Sequence, residues 1–402
     1  MRIAMFTNNY KPYIAGVPVS IEHLAEALRA RGHKVWVFAP SYGDGNEEEP
    51  YVIRYPSFPF RVAGAPVPDV LTGVFLKKVR ELEIDVIHVH HPALVGNVAL
   101  HIRRKLGIPV VFTYHTRYME YLHYIRGLES FEEHTGFLDW YLRRFCNRCD
   151  LLVAPTPGIR SYLYGKEVIK PVEVLPTGMP QDAFSPDQKI AAEIRQRYIG
   201  DADYLFCTVS RLAAEKNLIF QMQGLAHLGR LLKKKKRTFR HMFIGDGPEK
   251  ENLMHLAKEL GLSEHVIFVG NIENSEMKNY HAACDAFLFT SQSETQGIVL
   301  LEAMAAGNPV VALDASGVRD IVSDGENGFL TAGDAADWAG RVEALVEDEK
   351  RKGQMGENAV RTAMLYAEEE VARRAEQYYR KVCGKMSEEI NQMVPVQRRG
   401  VV

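Results

Sequence analysis

Glu294 and Glu302 stand eight residues apart in Ser-Glu-Thr-Gln-Gly-Ile-Val-Leu-Leu-Glu, a stretch that begins at Ser293. An apolar run of strand type ends just before it, at Thr290, and apolar residues of helical character follow Gly297 as far as Gly307. A carboxylate accepts hydrogen bonds at both oxygens, so it suits the vicinal hydroxyls of a sugar or a ribose. The spacing predicts Glu294 ahead of a helix and Glu302 about one turn inside it, roughly 6 Å further along the axis. The amides of Ile298 and Val299 then fall at the helix start, where free N–H groups and the dipole suit a diphosphate. Gly297 lets a ligand come close to the backbone. The plainer reading is a capping glutamate and a solvated one. Spacing, glycine and post-strand position together argue for ligand binding instead.

Three other constellations invite a metal and decline it. His88-Val89-His90-His91-Pro92 has no nearby carboxylates in a ligand pattern. Asp201-Ala202-Asp203 has the form of a metal-holding acidic pair but precedes a strand, which makes it an exposed loop. Cys146-Asn147-Arg148-Cys149 is a lone pair with no second pair to complete a zinc site. The five cysteines are odd in number and scattered, so no disulfide framework is expected and a reducing compartment fits. No metal is expected.

The elements that must position these residues repeat twice along 402 residues, a length that favours two domains. Arg2–Thr7, Lys34–Ala39, Val86–Val89, Val110–Tyr114 and Leu151–Ala154 read as strands, and Val17–Arg31 as an amphipathic helix closed by Gly32. Pro176-Thr177-Gly178-Met179-Pro180 with Ser185-Pro186 reads as a linker. The pattern then restarts with strands at Tyr204–Val209, His241–Gly245, Val266–Val269, Ala286–Thr290 and Pro309–Leu313. Alternating strand and helix implies α/β domains with parallel, doubly wound sheets, whose ligands sit beyond the C-terminal strand ends. At 46% hydrophobic and 25% charged residues with net charge −2, the chain has no broad basic face for nucleic acid.

The Glu294–Glu302 stretch resembles the signature of GT-B retaining glycosyltransferases of family 4, and nearly the whole chain is similar to that family. The resemblance implies two Rossmann-like domains facing a central cleft. Their expected extents are 1–180 on the acceptor side and 186–365 for the nucleotide sugar. A helix over 366–386 then crosses back to the first domain, and a tail covers 387–402. It further implies that Glu294 binds the donor sugar and Glu302 the ribose. Arg211 and Lys216, in Ser210-Arg211-Leu212-Ala213-Ala214-Glu215-Lys216-Asn217, match the family's diphosphate ligands. Two cations there would stabilise the charge gained by the leaving group. Phe268-Val269-Gly270-Asn271-Ile272 resembles the segment that reads the nucleobase. Gly16 matches a glycine that approaches the donor, and His115 a histidine that faces its sugar. The His88–His91 run resembles a wall of the acceptor side. Phe243-Ile244-Gly245-Asp246-Gly247-Pro248 is a tight turn of structural character.

The form Glu294-Thr295-Gln296-Gly297, with Asn8-Asn9-Tyr10-Lys11-Pro12, is most similar to bacterial diacylglycerol glucosyltransferases. That points to glucose from UDP-glucose, a lipid acceptor such as diacylglycerol, and no cofactor beyond the nucleotide sugar. A soluble small-molecule or saccharide acceptor is the alternative, with a sugar-nucleotide epimerase of the same fold behind it. A non-catalytic binding protein is disfavoured by the full set of motif residues. An NAD(P) enzyme is disfavoured because no strand leads into a GxGxxG.

No stretch reaches the roughly 18 apolar residues of a membrane span, and the N-terminal apolar run is too short for a signal peptide. The expected location is cytoplasmic, peripheral on the inner face of the cell membrane. Residues 1–180 carry a small basic excess and the rest an acidic one. Arg117–Arg126 and Pro56–Arg61 mix aromatics with cations, as an anionic lipid surface would favour, although core or cleft lining explains most such aromatics. Lys233–Arg237 reads first as a solvated helix end.

Overall fold

The computed structural model describes the chain except residues 14–15, 44–48, 63–64, 71–72, 117–135, 293, 295 and 394–402. The Arg117–Arg126 segment and the positions Ser293 and Thr295 therefore lie outside the described residues. The chain divides into two compact units, Met1–Gly178 with Glu368–Val402, and Met179–Ala367.

The first unit is built on β1 (Arg2–Phe6), β2 (Lys34–Pro40), β3 (Val52–Tyr55), β6 (Val86–Val89), β7 (Val110–Thr113), β8 (Leu151–Ala154) and β9 (Val172–Val174). They form one seven-stranded sheet in the order β3-β2-β1-β6-β7-β8-β9, while β4 (Ser57–Val62) and β5 (Ala65–Pro68) pair as a separate antiparallel hairpin. Helices α1 (Gly16–Ala30), α2 (Val74–Glu81), α3 (Val95–Leu106), α4 (Phe137–Cys146) and α5 (Pro157–Gly165) connect the strands. Parallel strands bury both faces, so successive residues feed opposite cores. Ile3 and Met5 join the core under α1, whereas Ala4 and Phe6 join the one packed by Phe38, Phe75 and Phe145. Thr156 caps α5, its hydroxyl accepting the Ile159 amide at 3.3 Å ahead of Pro157.

The second unit orders β10 (Tyr204–Val209), β11 (Phe239–Ile244), β12 (Val266–Gly270), β13 (Ala286–Phe289), β14 (Val310–Leu313) and β15 (Gly328–Thr331) as β12-β11-β10-β13-β14-β15. Its helices are α6 (Gln188–Ile199), α7 (Leu218–Lys234), α8 (Lys250–Glu259), α9 (Asn274–Ala282), α10 (Ile298–Ala305), α11 (Ala335–Glu347) and α12 (Glu349–Met364). Asp187, Asp334 and Asp348 cap α6, α11 and α12 with their carboxylates. Leu205 and Cys207 feed one core, Phe206 the other.

A final helix, α13 (Glu368–Met393), returns to the first unit and packs on α1. It continues past residue 386, where the sequence reading ended it. Ser387-Glu388-Glu389-Ile390-Asn391-Gln392-Met393 holds no helix breaker, and the first one is Pro395.

In each sheet the chain works outward from one central strand and then returns to that strand's other side. The reversals fall between β1 and β6 and between β10 and β13. Strand ends part there and leave room for a ligand.

Candidate active site

In the second unit the loops after β10 and β13 meet at such a reversal. Lys216 ends a short 3₁₀ turn (Ala214–Lys216), and its Nζ donates to Glu294 Oε1 at 2.6 Å. Both side chains are more than four-fifths shielded, with relative exposures of 19% and 15%. Burial pushes the Glu294 carboxyl up. The Lys216 charge and the hydrogen bonds from Lys216 and Ser291 outweigh it, leaving the group below the ordinary glutamate value. An ionised carboxylate and an ammonium are thus held together at the head of α10.

Backbone contacts fix both partners. The Thr290 hydroxyl lies 3.1 Å from Lys216 O, 3.3 Å from Asn217 O and 3.2 Å from Gln221 Oε1. The Ser291 hydroxyl oxygen also lies 3.4 Å from Glu215 O. Behind Glu294 sits Gly317, with φ of +78°; a Cβ there would stand 2.4 Å from the Glu294 carbonyl oxygen. Gly297 adopts φ of +68°, a left-handed backbone that glycine accepts readily, and leads into α10.

The loop carrying Arg211 is clamped from β11. A Cβ at Gly245 would lie 2.1 Å from Ser210 O, and one at Gly247 2.3 Å from Leu212 O. Leu212 donates its amide to Asp246 O at 3.0 Å, and Glu249 donates to Leu212 O at 2.9 Å. Gly245-Asp246-Gly247 is therefore a seat for the cation loop. Arg211 itself is exposed. Asn271 follows Gly270, whose carbonyl accepts the Gly245 amide at 2.8 Å, so it lies on the same sheet edge. Ile298 and Val299 form the first turn of α10, and Glu302 is half-buried further along it. Lys216 and Glu294 are in direct contact, Arg211 and Asn271 follow the C-terminal ends of β10 and β12, and Glu302 lies on the helix that follows β13.

Gly16 and His115 belong to the first unit. Gly16 is the first residue of α1, and a Cβ on it would meet nothing within 4 Å. His115 follows β7, and its Nε2 lies 2.8 Å from Nδ1 of His90. Burial and the neighbouring histidines push both imidazoles well below the ordinary histidine value. His91 takes the Asn8 amide on its Nδ1 at 3.1 Å, which puts its proton on Nε2. His88 is no wall of a cleft: it is fully buried between Tyr379 Oη at 2.7 Å and Thr113 Oγ1 at 2.6 Å.

Other motifs resolve into structure. Asp203 takes the Thr238 amide at 2.8 Å and pairs with Arg237 at 2.6 Å, closing the entry to β10. Cys146 and Cys149 are buried; burial pushes the Cys146 thiol up to about 12 and that of Cys149 well above the usual range. Lys235 pairs with Glu343 and Glu347 on α11. Gly317, Thr290 and Gln221 are positions that the sequence reading passed over. Gly317 had a signal in hand, a glycine four residues past a strand end, but nothing local says that it backs a glutamate.

A family model described as Glycosyl transferases group 1 matches residues 190–362, and one described as Glycosyltransferase Family 4 matches residues 14–182. The alpha-monoglucosyldiacylglycerol synthase of Streptococcus pneumoniae is 33% identical over 86% of this chain and 78% of its own length. A protein of the same description from Acholeplasma laidlawii is 26% identical over 97% of this chain and 100% of its own. The GDP-mannose-dependent alpha-mannosyltransferase of Mycobacterium tuberculosis is 28% identical over 82% and 83%. Among solved structures, sucrose-phosphate synthase from Thermosynechococcus elongatus superimposes with a TM-score of 0.78 at 20% identity, covering 96% of this chain and 99% of that one. Parallel-sheet units, a cation–carboxylate pair at the second sheet's reversal and these matches lead to one conclusion: the chain belongs to glycosyltransferase family 4 and is a glycosyltransferase of the GT-B fold.

Proposed function

We propose that this glycosyltransferase moves glucose from UDP-glucose, with retention and without a metal ion, to a lipid acceptor such as diacylglycerol. The observation that carries the reading is the Lys216–Glu294 contact at the head of α10. In this reading Lys216 and Arg211 neutralise the departing diphosphate, and the first amides of α10, those of Ile298 and Val299, add donors along the dipole. Glu294 and a neutral His115 hold the sugar hydroxyls, and Gly16 admits the donor close to the backbone. Glu302 takes the ribose hydroxyls, and the backbone at Asn271 meets the base. The bond from the anomeric carbon to the diphosphate oxygen breaks as the bond to the acceptor oxygen forms on the same face. The departing phosphate oxygen takes the acceptor's proton.

The lipid acceptor is supported by the Streptococcus pneumoniae relative, an alpha-monoglucosyldiacylglycerol synthase, and by the Gln296 form of the motif. No described helix is long and apolar enough to cross a membrane, so the reading has the protein meet its acceptor from the inner membrane surface. The Mycobacterium tuberculosis relative favours a second reading, in which the donor is GDP-mannose.

Purified protein incubated with UDP-glucose and diacylglycerol in anionic vesicles, with EDTA present, is expected to yield an α-glucolipid by mass spectrometry and NMR. A β-linked product would remove retention, and product only with GDP-mannose would replace the donor. Dependence on an added divalent ion would remove the metal-free mechanism.

A further inference from the structure

A buried chain of side chains leads from α13 to His115. Tyr379 Oη meets His88 Nδ1 at 2.7 Å, and His88 Nε2 meets Thr113 Oγ1 at 2.6 Å. The His88 and His90 rings lie 4.3 Å apart, and His90 Nδ1 faces His115 Nε2 at 2.8 Å. One proton must sit between those two nitrogens, because two bare lone pairs or two N–H groups would repel at that distance. Which ring supplies it decides what His115 shows on its other side.

The far nitrogen of His90 settles the direction. His90 Nε2 is buried and has no hydrogen-bond partner among the described residues. Were its proton there, a buried N–H would be orphaned, which costs more than a bare lone pair. Beside it lies a cavity of about 20 Å³ lined in part by Ser20, Thr113, Thr177 and His115. Thr177 Oγ1 donates to Ser20 Oγ at 2.9 Å on its wall.

We propose that His90 is a positioning residue: its Nδ1–H donates to His115 Nε2 and holds His115 as the Nδ1–H tautomer. His115 then presents a fixed N–H donor at Nδ1, which makes no hydrogen bond among the described residues. A ring nitrogen that always donates selects an acceptor oxygen on its ligand. The inference rests on the proposed role of His115 toward the donor sugar, but the tautomer can be measured without substrate.

The test is a two-bond ¹H–¹⁵N correlation spectrum of histidine-labelled protein at neutral pH, assigned with His115→Gln and His90→Asn. Protonated Nδ1 on both His90 and His115 is expected; an Nε2-protonated His115 overturns the proposal whatever the activity. His90→Asn keeps an N–H at the Nδ1 position and should preserve the His115 pattern, with kcat within about threefold of the parent. His90→Leu removes it and should give mixed His115 tautomers, with kcat about tenfold lower at little change in donor KM. An unaltered His115 pattern in His90→Leu also overturns it. If His90→Leu does not fold, the parent and His90→Asn spectra decide alone. The expected tautomers with unchanged catalysis in both variants would uphold the inference and remove His115 from the donor site.

Discussion

Lys216 and Glu294 hold each other's charge in a shielded place, so removing either partner changes two things at once. Lys216→Ala should lower kcat by roughly two orders of magnitude, as expected for one lost cation at a leaving diphosphate. It should also lower the melting temperature, because Glu294 is left without its counter-charge. Lys216→Ala combined with Glu294→Gln should recover part of that thermal loss but none of the activity, and a double-mutant cycle reads the difference. Each residue was singled out from sequence because cation loop and acidic motif each follow a strand, but their contact was not foreseen. Thr290, Gln221 and Gly317 were not singled out, because their task is defined by backbone that is distant in sequence. Histidines give the pH dependence. Burial holds His88 at about 3 and His91 at about 4 in the folded chain, against an ordinary value of 6.5. The unfolded chain therefore binds more protons between those values. Stability is fully present above about pH 6.5 and declines as pH falls toward 4. Denaturant midpoints from pH 8 down to pH 4 should show this fall, with a smaller slope in His88→Asn.

Elements carry the site through glycines that admit backbone. Gly317→Ala drives a methyl against the Glu294 carbonyl, and the left-handed φ adds strain. Donor KM should rise about tenfold, while melting changes little beyond the roughly 1–2 kcal/mol of that strain. Gly224→Ala is the contrast. Its Cβ would come within 2.5 Å of the Trp338 ring where α7 packs on α11, about two turns into the helix that follows Lys216. It should cost about 1–3 kcal/mol of stability and leave donor KM unchanged. Strands β6, β7, β8, β10 and β13 were legible as short, mostly apolar runs rich in Val, Ile, Leu and Phe, even with His88 inside β6. Strands β3, β9 and β15 were not. Arg54 interrupts Val-Ile-Arg-Tyr, β9 is only Val-Glu-Val, and β15 opens on a glycine; each borrows its conformation from the strand beside it.

At the scale of the whole molecule the two units differ in how they are written into the chain. The second is one continuous stretch, Met179–Ala367; the first is interrupted by it and completed by α13. Val371, Ala372, Ala375, Tyr379 and Val382 fill the core beneath α1, and Gly178 has no room for a side chain because a Cβ there would lie 2.7 Å from Glu368 Cα. Residues 179–367 expressed alone should therefore melt cooperatively and bind UDP, as calorimetry would show. Residues 1–178 alone should expose apolar core, bind a hydrophobic dye and gain a melting transition only when a peptide of residues 368–393 is added. On the ribosome the same arrangement inverts the usual order of maturation. The half that emerges first must wait roughly ten to forty seconds for the last helix to be translated, so through the synthesis of the whole second unit the N-terminal sheet carries a core still open where α13 will lie.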